Sequence, residues 1–202
     1  MDEPASSRPG VIAGKQPRNH FYLSKDTRDD CPGAGASCRG KAYVVPGDKV
    51  IVAESKTPGF VCAAFVSKRG NATVGWLPAD TVEMRPVAQP SVAHWLGKWT
   101  YLNSNIVIKR GKAAGSLSID GDSFSKRYQA VNTGEIFAED VVPKGNTLAF
   151  AEKAGETVPI EQADKTDCAL TFALVYDVLV VSDSGNCGGA GVYFTGFYRR
   201  KR

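Results

Sequence analysis

An all-β chain in two small domains is the fold class this 202-residue sequence predicts. Three observations lead there. Short apolar or alternating segments recur along the chain, separated by turn signals roughly every 8–12 residues. No segment carries a convincing helical period. A proline-bearing stretch, Pro86-Val87-Ala88-Gln89-Pro90-Ser91, divides the pattern into two halves. With 43% hydrophobic and 23% charged residues, the chain has the composition of a folded protein that buries a core.

Residues 1–18 are rich in Pro, Gly, Ser and charge and are expected to form a flexible leader. The first domain is placed at 19–86. Its candidate strands are His20–Ser24, Lys41–Val45, Lys49–Glu54, Phe60–Ser67 and Thr73–Leu77. Pro46-Gly47-Asp48, Thr57-Pro58-Gly59 and Lys68-Arg69-Gly70-Asn71 mark the turns between them. The linker is placed at 87–93 and the second domain at 94–202. There the candidate strands are Gly97–Leu102, Asn105–Lys109, Ser116–Asp120, Ser123–Ala130, Thr133–Ala138, Thr147–Ala151, Cys168–Tyr176, Val178–Ser182 and Val192–Tyr198. Asp120-Gly121-Asp122, Lys144-Gly145-Asn146 and Asp183-Ser184-Gly185-Asn186 are expected turns, and Tyr176-Asp177 a tight hairpin. Residues 152–166 are polar and suit a loop or one short helix. Eight or nine strands in so short a domain fit an up-and-down antiparallel barrel.

The net charge of +4 equals the four basic residues that close the chain, Arg199-Arg200-Lys201-Arg202. The body is therefore neutral, whereas nucleic-acid binders spread Lys and Arg over a face. Nucleic acid is not an expected partner. No run of 18 apolar residues occurs, so no membrane-spanning helix is expected.

Cys31, Cys38, Cys62, Cys168 and Cys187 contain no Cys-x-x-Cys pair, and His20 and His94 lie far from them, so the spacing speaks against zinc. Cys31 and Cys38 bracket a small loop. Cys168 and Cys187 lie on successive candidate strands. Two disulfides and one buried thiol, Cys62, are expected, although Cys38 with Cys62 is an alternative pairing. Such bridges favour an oxidising compartment. The opening ten residues hold no apolar stretch of the export-signal kind. The expectation is a periplasmic or secreted protein in its mature form.

No catalytic constellation is visible. Gly-x-Ser-x-Gly and His-Glu-x-x-His are absent, and no Gly-rich phosphate loop precedes a helix. Asp120-x-Asp122 lacks the remaining ligands of a calcium loop. The two histidines are expected at the surface. No catalytic residue, metal or cofactor is assigned, and the expected role is binding.

Residues 41–82 resemble bacterial SH3-like domains, on Lys41-Ala42-Tyr43-Val44-Val45-Pro46-Gly47-Asp48 followed by Gly75-Trp76-Leu77-Pro78. The resemblance implies a small barrel whose aromatic groove takes a wall peptide or a protein partner. Tyr22, Tyr43 and Trp76 are its candidate groove residues. The second half is similar to lipocalin-like (calycin) barrels, on Trp95-x-Gly97-x-Trp99 and the closing Thr195-Gly196-Phe197-Tyr198-Arg199. That likeness implies that Trp99 closes one barrel end with a terminal arginine across its indole, Arg199 or Arg200, with Arg199 preferred. Trp95 is then free to pack at the domain junction or to face a partner.

The expected function is that of a non-catalytic cell-envelope binder of a peptidoglycan peptide or a protein. Two alternatives stand beside it. One is an inhibitor or immunity protein against a wall-degrading enzyme: C-type lysozyme inhibitors are also small disulfide-bearing barrels, but their Ser-Gly-x-x-Tyr signature is missing here. The other is a carrier of a small apolar ligand in a cavity lined by Leu117, Phe137, Phe150, Phe172 and Tyr193.

Overall fold

Seven strands build the first unit of the computed structural model: Arg8–Ile12 (β1), Asn19–Tyr22 (β2), Arg39–Val44 (β3), Lys49–Ala53 (β4), Phe60–Val66 (β5), Ala72–Pro78 (β6) and Val82–Met84 (β7). The structure describes residues 6–33, 35–53, 57–127 and 130–201. Residues 1–5 of the expected leader, Glu54 of an expected strand and Arg202 of the basic tail lie outside them. The chain divides into two compact units, 6–87 and 88–201 among the described residues.

The sheet order of the first unit is β3-β2-β6-β5-β4-β1-β7, with every pairing antiparallel. The leader expected at 1–18 is corrected here. Residues 8–12 form β1, which pairs with β4 on one side and β7 on the other, and Ile12 is only 1% exposed. The composition misled because Gly10 serves close packing. A Cβ at Gly10 would lie 2.9 Å from a methyl of Val82 and 3.0 Å from one of Val52. Alternation then sends Phe21, Val44, Val50, Val52, Ala63 and Leu77 to one side, where they form the core with Ile12. Full burial of each large member contributes about 1.5–3 kcal/mol.

The second unit starts with one helical turn, Val92–Trp95 (α1), which the sequence pattern did not announce. Its strands are Gly97–Tyr101 (β8), Ser104–Arg110 (β9), Leu117–Arg127 (β10), Ala130–Val141 (β11), Thr147–Lys153 (β12), Glu156–Val158 (β13), Cys168–Val175 (β14), Val178–Asp183 (β15) and Gly196–Arg200 (β16). They form a nine-stranded, nearly closed antiparallel barrel in the order β11-β10-β9-β8-β16-β15-β14-β12-β13. The Tyr176-Asp177 hairpin is present, with Val175 paired to Val178. Asp120-Gly121-Asp122 is not a turn, because β10 runs straight through it. A Cβ at Gly121 would meet Ile136 Cγ1 at 2.8 Å and the Asn105 carbonyl at 3.0 Å, so this glycine too marks close packing.

The barrel interior is filled. Trp95, Trp99, Phe150, Phe172, Phe194 and Tyr198 are at most 1% exposed, and the Phe150 and Phe172 rings stack with centroids 5.7 Å apart. Burial pushes the Tyr198 phenol pKa upward, and its hydroxyl donates to the Phe194 carbonyl at 2.7 Å. The five residues expected to line one cavity do not converge. Leu117, Phe150 and Phe172 lie in this core, whereas Phe137 and Tyr193 are 50% and 58% exposed. Strand parity separates them, since outward Phe137 lies between inward Ile136 and Ala138.

Among the described residues, no ladder joins β11 to β12 or β13, the seam where the barrel stays open. Side chains bridge it instead. The Phe137 N–H donates to Glu152 Oε1 at 2.6 Å and the Glu139 N–H to Thr157 Oγ1 at 3.3 Å. Burial pushes the Glu152 pKa up, and the smaller effect of the Phe137 N–H pulls it down. The folded state therefore keeps this proton to higher pH than the unfolded chain does. Stability falls as pH rises from the ordinary glutamate range through the raised value. Glu152→Gln retains an oxygen acceptor for Phe137. It is expected to stabilise the unit at neutral pH and to leave it unchanged well below the glutamate range. Urea midpoints at both pH values check this, and equal gaps at the two would contradict it.

Candidate functional site

The first unit carries an aromatic face opposite its core. Phe21 and Leu77 point inward, so strand alternation places His20, Tyr22 and Trp76 on the other side. Tyr22 stands directly across from Trp76, and Trp76 across from Cys62. Phe60 lies one pleat beyond Cys62 on the same face. Its ring meets the Tyr22 ring edge-on, with centroids 5.4 Å apart and planes at 65°. Tyr22, Phe60 and Trp76 are all half-buried.

Tyr43 extends this face one strand further. It is paired with His20, the ring centroids are 5.6 Å apart, and the Arg18 guanidinium lies 4.7 Å from the Tyr43 centroid. His20 Nδ1 donates to the Gly40 carbonyl at 3.0 Å, which fixes the imidazole against β3. Tyr43 is 44% exposed. The three residues expected in a groove, Tyr22, Tyr43 and Trp76, therefore share one face, and Phe60 joins them unforeseen. Phe60 was hidden in an apolar run, where only the strand register decides which side a residue takes.

The loop after β2 is tied to this face. Cys31 and Cys38 are bonded, with Cα atoms 5.5 Å apart, and the Leu23 N–H donates to the Cys38 carbonyl at 2.8 Å. Its charged residues Lys25, Asp26, Arg28, Asp29 and Asp30 are exposed. Among the described residues, Asp30, Cys31 and Cys38 are the one cluster of metal-ligating type. Its two sulfurs are joined to each other, which leaves a lone carboxylate. Cys168 and Cys187 form the second bridge, and Cys62 is the thiol outside both.

Two expectations in the second unit are corrected. Trp95 does not face a partner. The α1 turn carries it inward to 0% exposure, and its carbonyl accepts the Trp99 indole N–H at 2.9 Å. The arginine across Trp99 is Arg200, not Arg199. Arg200 is the register partner of Trp99 and its guanidinium carbon lies 4.7 Å from the ring centroid, whereas Arg199 pairs with Thr100. A Cβ at Gly97 would sit 3.3 Å from the Arg200 side chain, so the glycine of Gly97-x-Trp99 leaves the arginine room. The Arg200 guanidinium also donates to the His94 carbonyl. Arg199 forms an ion pair with Asp177 at 2.5 Å.

His94 is exposed, and its Nδ1 is 2.9 Å from Ser91 Oγ, a local contact within the α1 turn. The aromatic face of the first unit offers stacking and van der Waals contact, the chemistry of recognition. No protein-family model, no curated protein sequence and no solved structure matches this chain.

Proposed function

We propose that this chain is a non-catalytic binding protein of a bacterial cell envelope, with an SH3-like first unit and a lipocalin-like second one. The first unit takes an extended peptide, either a peptidoglycan stem peptide or a segment of a protein partner, across Tyr22, Phe60, Trp76 and Tyr43. One observation carries the reading: these four aromatic residues share a single sheet face and none of them is buried, although the core lies on the other side. Aromatic rings held on strands supply contact area at little conformational cost. Two disulfides support an oxidising compartment, and the proposal places the protein in the periplasm or outside the cell.

Co-sedimentation with purified peptidoglycan sacculi tests the wall-peptide form. The full chain is expected to pellet, and Trp76→Ala to reduce the bound fraction about tenfold with an unchanged melting profile. A Trp76→Ala chain that pellets like the parent removes this face from the reading. A parent chain that stays in the supernatant shifts it to a protein partner.

A further inference from the structure

The second unit has a groove at the barrel rim with a chemistry of its own. Strand β10 pairs with β11 as far as Arg127, opposite Ala130, but with β9 only to Ser123, opposite Ser104. Beyond that point the turn Leu102-Asn103 carries the chain away. Residues 124–126 therefore have a β-ladder on one side and none on the other. A groove of about 540 Å³ runs along this side, lined by Leu102, Asn103, Phe124, Lys126, Tyr193 and Thr195 among others.

Three features of its walls point to a ligand. Phe124 and Tyr193 are exposed aromatic rings, at 36% and 58%. The Tyr193 backbone is held in place, because its carbonyl accepts Ser104 Oγ at 3.2 Å and Ser123 Oγ at 3.1 Å, from buried serines. Leu102 has φ of 48° and is 86% exposed. A leucine in the left-handed region costs energy that asparagine or glycine largely avoids, and here burial returns nothing. Finally, Lys126 is the one charged side chain among the described lining residues.

We propose that this groove binds an N-acetylated saccharide that carries a carboxylate. Each part of such a ligand has a counterpart. The apolar face of a pyranose ring stacks on Tyr193, since the Lys126 ammonium already lies over the Phe124 ring, 5.8 Å from its centroid. The acetamido group is a peptide-like unit, with one N–H and one C=O, and it pairs with the open backbone edge of 124–126 as a neighbouring strand would. The Asn103 amide and Thr195 hydroxyl suit sugar hydroxyls. The Lys126 ammonium meets the carboxylate, with no acid in the lining to compete. A shallow groove of mixed polarity suits a chain of sugars better than a buried apolar molecule. This deepens the envelope reading by assigning the glycan to the second unit and the peptide to the first.

Amide NMR titration of the full-length chain tests it with three soluble probes: a disaccharide of N-acetylglucosamine and N-acetylmuramic acid, tri-N-acetylchitotriose and cellotriose. The expected result is shifts at 124–126 and 193, with the acidic disaccharide tighter than chitotriose by up to about fivefold, the scale of an exposed ion pair. Cellotriose is expected to cause no shifts. Tyr193→Ala should weaken both acetylated probes about tenfold. Lys126→Ala should erase the preference for the acidic one while chitotriose still binds. Both side chains are exposed, so neither variant threatens the fold. Trp76→Ala should leave all three titrations unchanged, so the two units' readings fail separately. Equal binding of cellotriose, no shifts with either acetylated probe, an unaffected Tyr193→Ala, or an isolated stem peptide shifting the same amides would overturn the assignment.

Discussion

Trp99→Ala is expected to cost the second unit about 4 kcal/mol, the scale for removing a fully buried tryptophan. Trp99 is 1% exposed and belongs to the same core as Trp95, Ile106, Phe194 and Tyr198. Its indole N–H ties β8 to the end of α1 through the Trp95 carbonyl, and its ring lies 4.7 Å from the Arg200 guanidinium carbon. Replacement removes packing, a hydrogen bond and a cation–π contact together. The chain has two units, so urea unfolding should be followed by two probes rather than fitted as one transition. Amide NMR peaks of residues 6–87 report the first unit and those of 88–201 the second. Arg200→Ala should cost roughly 0.5–2 kcal/mol, and the double variant should cost less than the sum of the two. Arg199→Ala removes an ion pair whose acid, Asp177, is 80% exposed, together with the packing of an arginine side chain that is only 18% exposed. If Trp99→Ala proved additive with Arg200→Ala but coupled to Arg199→Ala, the assignment of the stacked arginine would be wrong.

That pair of arginines shows where sequence reasoning stops. Gly97-x-Trp99 and a run of arginines are visible as patterns, and the two strands that carry them pair. Which arginine stacks depends on the parity of β16 against β8, and parity shifts with a single residue of register. Trp95 failed for a related reason. Two tryptophans four residues apart look redundant in a strand pattern. The α1 turn aims the first one inward, and nothing in the strand periodicity announces one turn of helix. The two disulfides were expected with the Cys38–Cys62 pairing still open, whereas the all-β class and the Tyr176-Asp177 hairpin needed only local signals, so they could be read directly. β1 did not, because Arg-Pro-Gly-Val-Ile has tail-like composition and becomes a strand only where Val52 and Val82 close on Gly10. On the candidate face, Tyr22, Tyr43 and Trp76 came from the resemblance to SH3-like domains and its aromatic groove. Phe60 and the open edge of β10 exist only in three dimensions, since they depend on which strand ends first.

Removing the Cys168–Cys187 bridge by a double substitution to alanine is expected to cost about 3 kcal/mol, from the chain entropy of a loop with 19 residues of separation. The shorter Cys31–Cys38 bridge, with a separation of 7, should cost closer to about 2 kcal/mol on the same basis. The larger loss has a local consequence. Cys187 anchors a glycine-rich strap over β11, where a Cβ at Gly134 would lie 2.3 Å from the Cys187 carbonyl oxygen. The strap keeps other ties: Asn132 Nδ2 donates to the Ala190 carbonyl at 2.8 Å, and the Gly189 N–H to the Thr133 carbonyl at 3.1 Å. Downstream, Asp183 Oδ2 accepts the N–H groups of Phe194 and Thr195. These ties should hold the barrel together while the strap opens more often, so hydrogen exchange should quicken at residues 187–192 before it does in β14 and β15. The same opening should loosen Tyr193 and weaken the sugar titration at the rim. A loss below 1 kcal/mol, with unchanged exchange across 187–192, would mean that Asp183 and Asn132 hold the strap and that the bridge is incidental to it.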